Sequence, residues 1–247
     1  MKRLVKVVAM IATMALPTMA VAQDTVEATV GADIVSKYIW RGQDMGGANA
    51  AVQPTLGVSY KGLSLTAWGS YGLMNNSNAD FSTQELDLTL AYSTNGFNVG
   101  LSDYFCICDG SDPRYFYFKE GGEHVLEANI GYDFGPVAFQ WFTNISGTPD
   151  RYVDKDGDLK HIWASYFEFT APFKLGGLDW AATVGAVPFD SKGFYADANG
   201  FAVVNMNLKA SKEIKITDSF SLPVFGQVIA NPSTQKAYFV AGFSLGI

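Results

Sequence analysis

Thr83-Gln84-Glu85-Leu86-Asp87-Leu88-Thr89-Leu90-Ala91-Tyr92 sorts its residues onto two faces with a period of two. Glu85, Asp87, Thr89 and Ala91 fall on one side, and Leu86, Leu88, Leu90 and Tyr92 on the other. A helix would scatter these residues around its circumference, whereas a strand separates them. The stretch from Val125 to Phe134 does the same, with Val125, Glu127, Asn129, Gly131 and Asp133 opposing Leu126, Ala128, Ile130, Tyr132 and Phe134. Asn205, Asn207 and Lys209 likewise oppose Val204, Met206 and Leu208.

Outward from these runs the pattern predicts twelve strands. The first two cover about 26–39 and 50–60, followed by 63–73, 83–92, 97–107 and 125–134. The rest cover about 137–145, 159–169, 178–187, 202–210 and 220–230, and a last strand closes the chain. Pro223 points to a bulge or strained pairing in the eleventh. The connections alternate in length. Lys61-Gly62, Ser93-Thr94-Asn95-Gly96, Gly135-Pro136, Pro172 to Gly177 and the Thr217-Asp218 region are short hairpin signals. The stretches 41–49, 74–82, 109–124, 146–158 and 188–200 are longer and rich in Gly, Asn and Asp.

Strands apolar on one face and polar on the other, joined by alternately tight and long connections, predict an all-β fold. The expected architecture is a single antiparallel transmembrane barrel of about twelve strands, with short periplasmic turns and longer extracellular loops. Ala237, Phe239, Ala241, Phe243, Leu245 and Ile247 give the last strand one apolar face. In a closed barrel that strand pairs with the first, and an apolar last residue resembles the assembly signal of outer-membrane proteins.

Lys2, Arg3 and Lys6, an apolar run from Val7 to Leu16 and the sequence Ala20-Val21-Ala22 read residues 1–22 as a secretory signal peptide. Residues 23–247 then form the barrel domain, and the expected location is the cell outer membrane of a Gram-negative bacterium. Without the leader, 14 Lys+Arg face 24 Asp+Glu, an acidic balance that argues against a nucleic-acid partner. Cys106 and Cys108 form a C-x-C. It reads as an unreactive pair at a strand end, as a disulfide that needs a bent backbone, or as something functional.

Ser36, Tyr38, Trp40, Arg41 and Gly42 make an S-x-Y-x-aromatic-R-G pattern that resembles the N-terminal motif of the TorF porin family. That resemblance implies passive passage of small solutes and carries no catalytic residue. The pattern lies on the first strand and the start of the first long loop. Arg41 there either pairs with inward acids and pins the loop, or hydrogen-bonds a solute or a lipopolysaccharide phosphate; the cost of burying an unpaired Arg favours the first.

The alternation gathers Glu27, Asp33, Glu85, Asp87, Glu127, Asp133 and Glu168, with Lys37, Lys160, Lys209 and Lys236, on the face opposite lipid. Lipid-facing charge costs roughly 2–4 kcal/mol at the midplane for Arg or Lys, so a membrane barrel must turn these residues inward. They then line either a weakly cation-preferring lumen or a salt-bridged filling of a narrow barrel. Asp154-Lys155-Asp156-Gly157-Asp158 departs from the EF-hand pattern and reads as a solvated loop tip. Arg114-Tyr115-Phe116-Tyr117-Phe118-Lys119 reads as an outward extension of the sixth strand in the aromatic girdle in preference to a loop folded into the mouth. Trp68, Trp141, Trp163 and Trp180 read as interfacial anchors.

Neither His124 nor His161 has a strand-neighbour Ser within reach, so no catalytic residue is assigned, and no metal or cofactor is expected. The expected function is a porin-like channel for small polar solutes. The alternative is a closed barrel whose surface loops bind or play a structural part. Expected partners are outer-membrane lipid and lipopolysaccharide, the barrel-assembly machinery and small polar solutes.

Overall fold

The computed structural model describes residues 25–46, 49–73, 84–107, 114–119, 121–195 and 200–246. The proposed leader (1–22), Cys108 and Ile247 lie outside them. Twelve long strands form the wall: β1 (Glu27–Val35), β2 (Ala51–Tyr60), β3 (Leu63–Gly72), β4 (Gln84–Thr94), β5 (Phe97–Ile107), β6 (His124–Asp133), β7 (Ala138–Gly147), β8 (Ser165–Leu175), β9 (Leu178–Val187), β10 (Ala202–Lys215), β11 (Ser221–Asn231) and β12 (Lys236–Gly246). Each pairs antiparallel with its sequence neighbour, and β1 pairs with β12 to close the ring. The architecture read from the alternation is therefore the one observed.

Two ladders are short. The β1–β12 seam covers only Gly31–Val35 against Gly242–Gly246, and β7 meets β8 only over Ala138–Thr143 and Ser165–Thr170. At the short-turn end, Lys61-Gly62 and Asn95-Gly96 have positive φ at both residues (50° and 84°, 49° and 84°). That is the type I′ geometry whose twist matches the flanking strands.

Burial is inverted relative to a soluble domain. The inward face buries Asp33, Gln53, Ser70, Asp87, Ser102, Glu127, Gln140, Glu168, Lys209 and Gln227. The outward face exposes a belt of large apolar residues that includes Leu56 (60 %), Leu65, Leu88, Leu90, Leu101, Ile130, Val228 and Phe239 (67 %). Scattered exposed leucines are ordinary in soluble proteins, but a contiguous belt is not.

Several expectations change. β1 stops at Val35: Ser36 still exchanges backbone and side-chain hydrogen bonds with Ala241, and the chain then turns into a two-residue ribbon, Ile39–Trp40 against Gln43–Asp44. β8 starts at Ser165, because Trp163 sits at φ 56° and Asp150 accepts the backbone N–H groups of Trp163 and Ala164. Leu159–His161 instead pairs with Arg151–Val153 in a separate ribbon, which removes Lys160 from the lumen wall. Trp68 faces inward, its ring 5.5 Å from that of Tyr38. Trp141 and Trp180 lie on the outward face, stacked on Phe167 and Phe173.

Candidate functional site

The lumen is crossed by the segment that follows β1. Arg41 (φ 47°) and Gly42 (φ 80°) form the tip of the Ile39–Asp44 ribbon. A Cβ on Gly42 would lie 2.0 Å from the backbone oxygen of Val204 on β10, so only glycine permits this approach. Asn231 on β11 donates from Nδ2 to the Gly42 carbonyl at 3.1 Å.

From that tip Arg41 reaches β6. Its Nη1 and Nη2 donate to Glu127 Oε2 and Oε1 at 2.5 and 2.8 Å, a bidentate fork. Arg41 is 4 % exposed and Glu127 1 %. Tyr104 on β5 donates to Glu127 Oε1 at 2.7 Å, and Tyr195, from the connection between β9 and β10, donates to Oε2 at 2.9 Å while accepting from Arg41. The guanidinium carbon stands 4.0 Å from the Phe142 ring centroid, with Trp40 at 4.6 Å and Tyr166 at 4.7 Å. Burial works against the Arg41 charge, but Glu127, with Tyr195 and Tyr104, more than offsets it, so the guanidinium is held charged more firmly than usual. Burial pushes the Tyr195 phenol well above its ordinary range, which keeps it a donor.

The same segment touches other parts of the wall. Tyr38 hydrogen-bonds Glu85 on β4, and Trp40 packs edge-on against Tyr104, 5.9 Å between centroids. Tyr166 donates to Glu168 Oε2 at 2.7 Å and accepts from Asn205 at 3.0 Å. Phe142, Ala164, Tyr166, Val187, Tyr195 and Val204 form one buried cluster around the tip, with Trp40 and Phe194 against it. Each motif residue thus has a structural job: Ser36 prolongs the seam, Tyr38 and Trp40 dock on the wall, Arg41 pairs with Glu127, and Gly42 lies against β10.

The remaining charges separate into several places. Glu85 and Asp87 face the lumen on β4. Lys209 on β10 lies 4.0 Å over the Phe225 ring, within the field of Asp33. Glu27 and Asp133 sit at the short-turn rim, where Asp133 accepts from the Gly135 N–H. Lys37, expected on the first strand, lies beyond its end and pairs with Asp44 at 2.6 Å. Glu85 Oε2, Asp87 Oδ1, Asn98 Nδ2, Asn207 Oδ1 and Ser244 Oγ, all on the inward face, have no hydrogen-bond partner among the described residues. No group of three or more His, Cys, Asp or Glu among those residues is gathered as a metal would need. Cys106, at the outer end of β5, is disulfide-bonded.

Sequence reasoning missed Tyr104, Tyr166 and Tyr195. The first two lie on inward positions of alternating strands, a signal available in principle. Tyr195 lies in a connection, where period carries no information.

The closed ring of alternating strands defines the class: an antiparallel β-barrel with an apolar exterior. By the match of its family model to residues 19–186, this chain belongs to a family described as a bacterial protein of unknown function, Gcw_chp. No curated protein matches it significantly. Among solved structures it is similar to OmpF of Salmonella typhi, in a complex with daunomycin, at 11 % identity and a TM-score of 0.35, covering 90 % of this chain and 97 % of that one. It is also similar to a loop-deletion mutant of OmpT, an outer-membrane protein of Vibrio cholerae, at 10 % identity and a TM-score of 0.30, with the same coverages.

Proposed function

We propose that this protein is a porin-like barrel of the Gram-negative outer membrane, with a narrow, non-catalytic lumen that passes small polar solutes and prefers cations. This is the activity that the resemblance to the TorF porins implies. The observation that carries the reading is the inversion of burial: charged and amide groups line the inside, several with one polar atom that has no partner among the described residues, while leucines and aromatics cover the outside. In water the belt is a liability, and in a bilayer it is the solvent-exposed surface. Asp33, Glu85, Asp87, Glu127 and Glu168 face inward against Arg41 and Lys209, which favours cations.

The test is conductance of the refolded protein in a planar bilayer under a salt gradient. Unitary steps with a cation-selective reversal potential support the reading. Silence from protein whose folded, heat-modifiable form is verified on a gel overturns the channel. It favours the second reading, a closed barrel, which rests on the buried Arg41 tip and the aromatic cluster around it.

A further inference from the structure

The outer end of β5 and β6 breaks the pattern of the wall. Asp103 continues the outward face of Val99 and Leu101, and His124 continues that of Leu126 and Ile130, so both charge-bearing groups point away from the lumen. His124 Nδ1 lies 3.0 Å from both carboxylate oxygens of Asp103, and its Nε2 donates to the Tyr115 carbonyl at 2.6 Å. Both ring nitrogens are engaged by protein groups, which fixes the orientation of the imidazole.

The 114–119 segment, expected as an outward extension of the sixth strand, instead folds against this wall. Tyr115 packs on Phe105 and His124 at 5.1 and 5.2 Å, and Phe118 on His124 at 4.3 Å. Gly121 N–H donates to Thr148 Oγ1 at 2.9 Å, tying the segment to the next connection. Between them lies a cavity of about 380 Å³, whose lining includes Lys119, Ser146, Thr148 and Arg151 together with His124 and the Asp103 carboxylate paired to it. Phe116 beside it is 87 % exposed.

Depth decides what reaches such a cavity. The cavity stands at the last rung of the β5–β6 ladder, where His124 pairs with Phe105, four residues above Leu101 and about 14 Å along the strand, at the edge of the apolar belt. Outward charge is tolerated at that edge, whereas the midplane penalises it strongly. A cavity at headgroup height, supplied with two cations and small hydroxyl donors and flanked by exposed aromatic rings, matches an anion attached to an acyl chain.

Resting on the membrane reading above, we propose that this outer-wall cavity binds the phosphorylated headgroup of an outer-leaflet lipid. Lys119 and Arg151 hold the phosphate, and Phe116 and Phe118 lie along the lipid.

The experiment uses the full-length barrel folded in detergent, with diphosphorylated lipid A, its dephosphorylated form and inorganic pyrophosphate as probes, each read by native mass spectrometry. Lipid A is expected to stay bound, and dephosphorylated lipid A to be held about tenfold more weakly. K119A and R151A are each expected to weaken lipid A binding about tenfold, with K174A at the opposite end as the unchanged control. Because Arg151 also contributes to its ribbon, the heat-modifiable gel shift verifies folding, and K119R, which keeps the charge, is expected to restore binding. Equal retention of both lipids, or no effect of K119A in a folded barrel, overturns the site. Pyrophosphate binding as tightly as lipid A also overturns it, since the phosphate then needs no lipid. A folded protein recovered only in the soluble fraction sinks the membrane reading itself, a separable result.

Discussion

Arg41 and Glu127, 86 residues apart in the chain, close a bidentate ion pair inside the barrel, with the arginine on the segment after β1 and the glutamate on β6. Around the ring β6 is the fifth neighbour of β1 in one direction and the seventh in the other, so the pair reaches nearly across the lumen.

Removing one partner strands the other's charge among aromatic rings. Arg41→Ala or Glu127→Ala is expected to destabilise the barrel by about 3–5 kcal/mol. Arg41→Leu with Glu127→Leu together should cost clearly less than either alanine variant. Urea unfolding followed by loss of the compact band on a gel measures all three, and additive losses would refute the pairing as the source.

Gly42 is a steric test of the same tip. Gly42→Ala places a Cβ against the Val204 carbonyl and forces a positive φ, so the tip must lift from β10. The expected cost is about 1–3 kcal/mol. In a bilayer the expected companion is a larger unitary conductance; an unchanged one would separate the tip from the conduction path.

Selectivity follows the inward carboxylates. Glu85→Lys with Asp87→Lys is expected to move the reversal potential toward anions, and Lys209→Glu to move it further toward cations. A reversal potential unmoved by both would place permeation outside this lumen.

The belt has its own test. Leu90 pairs with Leu101 on the outward face near the middle of the wall. Leu90→Lys is expected to cost about 2–4 kcal/mol in lipid vesicles. A substitution on a water-exposed surface usually stays within about 0.5 kcal/mol, and a result of that size would count against a bilayer around β4 and β5.

The wall was legible because each strand must satisfy two solvents, and period two records that demand residue by residue. Glu85, Asp87, Glu127, Glu168 and Lys209 were placed inward on that ground alone. The tip was not legible. Val35, Lys37 and Ile39 continue the alternation of β1, so nothing in the pattern marks the turn after Ser36. Arg41-Gly42 reads as the start of a loop, and only the approach to Val204 shows that it folds inward. Trp68 was misplaced for a different reason: an aromatic ring suits an interface and a filled lumen equally, and its parity with Ser70, not its chemistry, decides its side.

The two short ladders have a mechanical consequence. Cut at the β1–β12 seam and between β7 and β8, the ring falls into two shells, one of seven strands and one of five. Arg41 is anchored to the larger shell through Glu127, while Gly42 and Tyr195 engage the smaller through Val204, Asn231 and the connection after β9. The buried tip therefore works as a tie rod between two curved plates, bearing load where the hydrogen-bonded rim is thinnest.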